Sequence, residues 1–225
     1  MSLRFFIYNS PDFKRFLRDN PHENGEVKFL GSHIQKGMNV IDIGGYVGVS
    51  TTVIAKSIGE TGKLYSFEPV PEHFEILNKN ISSNGLRNVK TYQKVISNHV
   101  GIITFHKNDA SSSIIPERGN YEIQIDSTTI DTFLQAADVD GIDFINMDCE
   151  GSELYALEGA RNTLRNNKIK IFCEIHHGFL KRLGLSVQQI VEYLHKLKLQ
   201  VYSVLLDDLK LGEDFTDCDY IYAYN

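Results

Sequence analysis

Only three cysteines occur in the 225 residues, Cys149, Cys173 and Cys218, and no two form a Cys-x-x-Cys pair. That spacing rules out a disulfide framework and argues against a zinc site. Each lies in or beside an apolar run, which reads as a reduced, buried thiol. Long hydrophobic runs are also missing. The opening MSLRFFIYNSPDFKRFL has too short an apolar stretch for a signal peptide or a membrane span, so a cytoplasmic protein with no membrane partner is expected. Nor is there an excess of basic residues: 23 Lys and Arg stand against 29 Asp and Glu, for a formal charge of −6. The basic side chains are scattered, which leaves no face for nucleic acid. Repeats and low-complexity segments are absent.

What remains is an ordinary globular composition, 42% hydrophobic and 23% charged, in a length suited to one domain. Residues 1–38 read as a lead-in, part helical. From residue 39 onward, strand-like and helix-like patterns alternate. Apolar strands are expected at 39–43, 63–68, 88–96, 144–148, 170–176, 200–206 and 220–224. Helical stripes fall between them. Val49, Val53, Ile54 and Ile58 run up to Gly59; Phe74, Leu77 and Ile81 follow Pro71 and stop at Asn84-Gly85. Leu154, Leu157, Ala160 and Leu164 make another stripe. Ser186 and Gln189 are placed for a capping box ahead of Ile190, Val191, Leu194 and Leu197. The C-terminal tyrosines, Tyr220, Tyr222 and Tyr224, read as edge-strand packing. The pattern predicts an α/β, Rossmann-like fold: a mostly parallel seven-stranded sheet with helices on both faces. An insertion at 97–143, part hairpin and part loop, interrupts it, with strands expected at 101–106 and 121–130.

In such a sheet, ligands bind at the carboxyl ends of the strands near the switch in strand order. The loop after the first strand, Asp42-Ile43-Gly44-Gly45-Tyr46-Val47-Gly48, is therefore a binding loop by position. A dinucleotide fingerprint would need glycine where Ile43 stands, and Asp42 would repel a pyrophosphate. A nicotinamide oxidoreductase is thereby disfavoured. S-adenosylmethionine has no phosphate, carries an ammonium and a sulfonium, and suits an acidic loop. Glu68, followed by Pro69 at the end of the second strand, is placed to accept from its two ribose hydroxyls. Ser50 and Thr51 open the first helix and are either cofactor contacts or helix caps. Tyr46 is placed to flank the methionine portion, and Ser97 to meet the adenine edge.

Three stretches together, VIDIGGYVGVST (40–51), YSFEPVPEHFEILNKNI (65–81) and INMDCEGSELYALEGA (145–160), resemble the FkbM family of S-adenosylmethionine-dependent methyltransferases. LRNVKTYQKVIS (86–97), STTIDTFL (127–134) and FCEIH (172–176) are similar to further family blocks in the same order, and Gly25-Glu26 is similar to the family's lead-in. The resemblance implies a methyltransferase domain over 39–225 that methylates a hydroxyl on a sugar or other secondary metabolite. Two positions depart from the family pattern: Gly45-Tyr46 replaces an Ala-Asn pair, and Asn146 replaces a lysine. The latter keeps open a cofactor-binding protein without catalysis.

Methyl transfer needs alignment, exclusion of water and removal of a hydroxyl proton. Asp148 ends the fourth strand with Glu150 two residues on. The pair is placed for proton abstraction or acceptor positioning, for a divalent metal (a possible ligand set, not an expected one), or for helix capping. Glu153 reads as a first-turn helix acid. Glu174 and His176 end the fifth strand on one face, and an ordinary histidine pKa near 6.5 suits His176 as the base. His177 points the other way.

Overall fold

The alternation of large apolar residues along each strand decides the architecture. In β1 (Asn39–Ile43), β2 (Lys63–Phe67), β7 (Phe144–Met147), β8 (Lys170–Glu174) and β11 (Tyr220–Tyr224), odd-numbered and even-numbered residues face opposite layers. Ile41, Ile43, Tyr65, Phe67, Ile145, Met147, Ile171, Cys173, Ile221 and Ala223 fill one core. Val40, Leu64, Phe144, Phe172, Tyr220 and Tyr222 fill the other. Burial on both faces needs a helical layer on each side. The computed structural model describes residues 18–107, 112–116, 121–166 and 168–225. Residues 1–17 of the expected lead-in and most of the polar stretch 108–120 lie outside the described residues.

Helices α1 (Pro21–His33) and α2 (Val49–Ile58) cover the second core with Phe29, Leu30, Ile54 and Ile58. The first core is covered by α4 (Ile130–Ala137), α5 (Glu153–Glu158), α6 (Arg161–Asn166), α7 (His177–Arg182) and α8 (Val187–Lys196). Helix α3 (Pro71–Ser83) starts at Pro71, and Ser186 caps α8 by accepting from the Gln189 N–H, both as the sequence indicates.

The main sheet runs β10-β9-β11-β8-β7-β1-β2-β3, with β3 at Val89–Tyr92, β9 at Gln200–Leu205 and β10 at Lys210–Gly212. From β3 to β8 every pairing is parallel, and β11 runs antiparallel to both its neighbours. The chain moves outward from β1 to β3 and resumes at β7 on the other side of β1. The switch in strand order therefore falls between β1 and β7.

Four expectations need correction. The sheet has eight strands rather than seven, because β10 turns back on β9. The single strand expected at 88–96 is two: β3 joins the main sheet, while β4 (Val95–Ile96) pairs with β6 (Tyr121–Thr128) in a separate β4-β6-β5 sheet with β5 at Gly101–Lys107. The strand expected to reach residue 130 stops at Thr128. Thr129 Oγ1 accepts from the Thr132 N–H and starts α4 instead. Finally, β11 lies between β8 and β9, not at an edge, so Tyr220 and Tyr222 pack inside. No helix among the described residues is long and apolar enough to cross a membrane.

Candidate functional site

Strand register builds the floor of the site. Asp42 of β1 stands beside Ser66 of β2 and Asn146 of β7, so three polar residues form one row across the sheet. Asp42 is fully buried. Its Oδ2 accepts from Thr51 Oγ1 at 2.5 Å and Ser66 Oγ at 3.0 Å, and its Oδ1 from Asn146 Nδ2 at 2.9 Å and Ser50 Oγ at 3.4 Å. Burial pushes its pKa up, and these four donors pull it back. The carboxylate therefore ties β1, β2, β7 and the start of α2 together. Asn146, the departure from the family pattern, is one of its partners.

Above this row the chain turns sharply through Gly44, with φ +83°, and Tyr46, with φ +45°. A Cβ at Gly44 would collide with the Asp148 carbonyl, and one at Gly45 with Ser66 Oγ. The Gly44 and Gly45 N–H groups donate to the Phe67 carbonyl at 2.9 and 3.0 Å. The loop is thereby pinned to the end of β2, where Glu68 sits 4% exposed. Glu68 Oε2 accepts from the Tyr46 N–H and Oε1 from the Val70 N–H, both at 2.8 Å. A carboxylate accepts about four hydrogen bonds. Glu68 is thus fixed in place with capacity left for a ligand's hydroxyls. The Tyr46 ring stands edge-on to His73 at 4.5 Å.

Across the switch point lies a second wall. The turn after β7 carries Asp148 and Glu150; the strand expected to reach residue 176 ends at Glu174, and His176 follows as the N-cap of α7. His176 Nδ1 lies 2.8 Å from Oε1 of Glu153, a fully buried acid at the start of α5. Its Nε2 stands 3.4 Å from Glu150 Oε2, 3.5 Å from Asp148 Oδ1 and 3.8 Å from Glu174 Oε1. Burial works against the imidazolium, but the Glu153 hydrogen bond and the charges of Asp148 and Glu150 outweigh it and push the His176 pKa up to about 10. The expectation that His176 titrates near 6.5 does not hold; at pH 7 it already carries its proton. Burial first, then the charge of Glu174, holds the Asp148 carboxyl well above the usual carboxylate range, with His176 acting the other way.

Helix α1 completes this wall. His22 Nε2 lies 3.2 Å from Glu26 and 3.5 Å from Glu174, and the Tyr220 hydroxyl hydrogen-bonds to both His22 and Glu26. Hydrogen bonds to Glu174 and Glu26 push the His22 pKa up to about 10. Burial pushes Glu23 up to about 7.

The two walls enclose a cavity of about 240 Å³. One water takes about 30 Å³, so the space suits an organic ligand. Gly44, Gly45, Tyr46, Ser50, Glu68, Pro69, Asp148, Glu150, Glu174 and His176 line it. Asp42, Gly48, Thr51 and Ser97 do not: Asp42 and Thr51 are spent on each other, the Gly48 turn packs on Leu77, and Ser97 is 4% exposed beside Gly159. His177 points away as expected, its Nε2 2.8 Å from the Cys218 carbonyl. Sequence reading missed His22, Glu23, Tyr220 and the buried Glu153–His176 contact. The spacing of His22, Glu23 and Glu26 on one helical face is a signal, but nothing local says that this face meets a strand end.

The methyltransferase FkbM domain matches residues 42–203. Hexuronic acid methyltransferase AglP of Haloferax volcanii is 24% identical over 218 residues, covering 94% of this chain and 82% of that protein. The protein-L-isoaspartate O-methyltransferase of Methanococcus maripaludis is 37% identical over 57 residues, 25% of this chain and 27% of that enzyme. The chain thus matches only about a quarter of the length of that relative. A crystal structure of a SAM-dependent methyltransferase from Aquifex aeolicus superposes with a TM-score of 0.52 at 16% identity, covering 94% of this chain and 95% of that one, which shows the shared fold. With the FkbM domain matched over most of its length, the chain belongs to the FkbM methyltransferase family.

Proposed function

We propose that the cavity binds S-adenosylmethionine along the ends of β1 and β2 and that a methyl group passes to a hydroxyl of a small, sugar-like acceptor beside the Asp148–His176 wall. The observation that carries this reading is the placement of Glu68. Two backbone N–H groups lock its carboxylate at the rim of the same cavity that the strand-end acids line. The cofactor fits the site on chemical grounds: Glu68 at the cavity rim keeps acceptor capacity for ribose hydroxyls, and an acid rather than an anion-binding loop suits a ribose. AglP, by its name a methyltransferase of a hexuronic acid, favours a sugar acceptor.

When bound, the cofactor supplies an electrophilic methyl carbon on a sulfonium. The chain's residues do the rest. Gly44, Tyr46 and Ser50 shape the methionine end, and Glu68 holds the ribose hydroxyls. The hydroxyl proton goes to the carboxylates at the end of β7, Asp148 or Glu150, because His176 already holds a proton. A raised pKa makes Asp148 a stronger base than an ordinary carboxylate. His176 positions these acids and balances their charge. Calorimetric titration with S-adenosylmethionine and with NAD, followed by detection of S-adenosylhomocysteine over hydroxylated sugars and hexuronic acids, tests the reading. Saturable binding of the first alone and turnover with at least one sugar are expected. Binding of NAD instead would overturn the cofactor assignment, and binding without turnover on any acceptor would overturn the transfer.

A further inference from the structure

The end of β8 and the turn after β7 bring together three side chains of the kinds that ligate metals. Asp148, Glu174 and His176 each offer one donor atom within 4.8 Å of the other two. His176 Nε2 is 3.5 Å from Asp148 Oδ1 and 3.8 Å from Glu174 Oε1. These distances are longer than an N–H···O hydrogen bond of about 2.7–3.2 Å. They match instead the spacing of neighbouring donors around one ion, about 3–4 Å for bonds of about 2.0–2.4 Å. The three atoms line an open cavity, so positions on an ion held there would face the ligand space.

A second observation comes from outside these three. Glu153 is fully buried, and one of its oxygens, Oε1, lies against His176 Nδ1 at 2.8 Å and accepts from the Gly151 N–H at 2.9 Å. The other, Oε2, is buried with no hydrogen-bond partner among the described residues. An unmatched buried carboxylate oxygen is costly unless the group serves elsewhere. A carboxylate behind an imidazole is the arrangement that, on metal-binding histidines, fixes the ring and makes the opposite nitrogen a better donor. Here the opposite nitrogen is the one facing Asp148 and Glu174.

We propose that Asp148, Glu174 and His176 hold one divalent cation of the Mn²⁺ kind, which displaces the proton from His176 Nε2 to solvent and whose open positions take the acceptor hydroxyl. Imidazole mixed with carboxylates suits a first-row divalent ion better than Ca²⁺. Binding does not depend on the methyl-transfer reading; the use of the ion rests on it. In that use the coordinated hydroxyl releases its proton to Glu150, whose Oε2 is 3.4 Å from Nε2. The oxygen then forms the bond to the methyl carbon, and the carbon–sulfur bond breaks with its electron pair left on sulfur. A second set, His22, Glu26 and Glu174, shares Glu174. Its His22 and Glu26 are already joined to each other and to Tyr220, so the first set is the assigned one.

The test is a Mn²⁺ titration of the full chain followed by electron paramagnetic resonance, with no methyl donor or acceptor present. One site and a pulsed-resonance coupling to a single imidazole nitrogen are expected. His176→Gln should weaken Mn²⁺ at least about tenfold and erase the nitrogen coupling. Asp148→Asn should weaken it comparably with the coupling retained, and His22→Gln should also retain the coupling. Melting curves establish that each variant is folded, and Asp148→Asn decides the question if His176→Gln is not. Four outcomes overturn the proposal: no site below millimolar Mn²⁺, binding insensitive to both His176→Gln and Asp148→Asn, nitrogen coupling lost in His22→Gln instead, or occupation by methylammonium in preference to Mn²⁺. Since no methyl chemistry is measured, failure here leaves the transfer reading standing, and failure of turnover leaves this one.

Discussion

The two walls of the cavity treat charge in opposite ways. On the β1–β2 side the acids are answered within the fold: Asp42 takes four donors from hydroxyls and an amide, and Glu68 takes two backbone N–H groups. On the β7–β8 side Asp148, Glu150 and Glu174 gather around one imidazole at 3.4–3.8 Å; burial and then the charge of Glu174 raise the Asp148 pKa, and the surrounding acids stabilise the His176 imidazolium. The first wall is held rigid by its own hydrogen bonds. The second keeps its electrostatics incomplete, which is the state of groups that act on a proton or a cation.

The contrast can be broken at the seam. Gly44→Ala forces a Cβ into the Asp148 carbonyl at a positive φ and should cost about 4 kcal/mol in denaturant unfolding. A loss under about 1 kcal/mol would mean that the walls do not touch as described. Phe29→Ala should cost about 3 kcal/mol, because the buried ring stacks on Phe172 at 4.3 Å and anchors α1. It acts on the core face away from the cavity, so S-adenosylmethionine affinity measured calorimetrically should hold in the folded variant. An equal fall in affinity would tie α1 to the first wall.

Glu68→Ala should weaken S-adenosylmethionine by about 2 kcal/mol, roughly thirtyfold; unchanged affinity would remove Glu68 from the ribose role. The smallest effect concerns Glu23. Its pKa is raised to about 7 from 4.5, burial being the main cause. The folded state then binds more protons than the unfolded one between those values, so this group lowers stability as pH rises through the window. Glu23→Gln should melt higher than the parent at pH 8 and no higher at pH 4. The same difference at both values would assign the gain to something other than titration.

Much of the first wall is visible in the residues themselves. Asp42, the glycines and Glu68 are adjacent in sequence to the strands that position them, so periodicity alone places them. Even there the direction of Asp42 was hidden, because strand register, and not sequence spacing, sets Ser66 and Asn146 beside it. The opposing wall draws on residues far apart in the chain, from His22 to Tyr220. No local pattern indicates that α1 and β11 end at the same place. The pKa of His176 is illegible for a similar reason, since it depends on Glu153 23 positions away.

The location of β11 bears on the order of assembly. Strand β9 pairs only with β10 and β11 among the described strands, so it has no route into the main sheet until β11 has inserted against β8. The residue that leads β11, Tyr220, is also the one that fastens α1 to the cavity. The glycine loop is thus framed by strands from the first third of the chain, whereas the Tyr220 tie between α1 and the strand ends depends on the last strand.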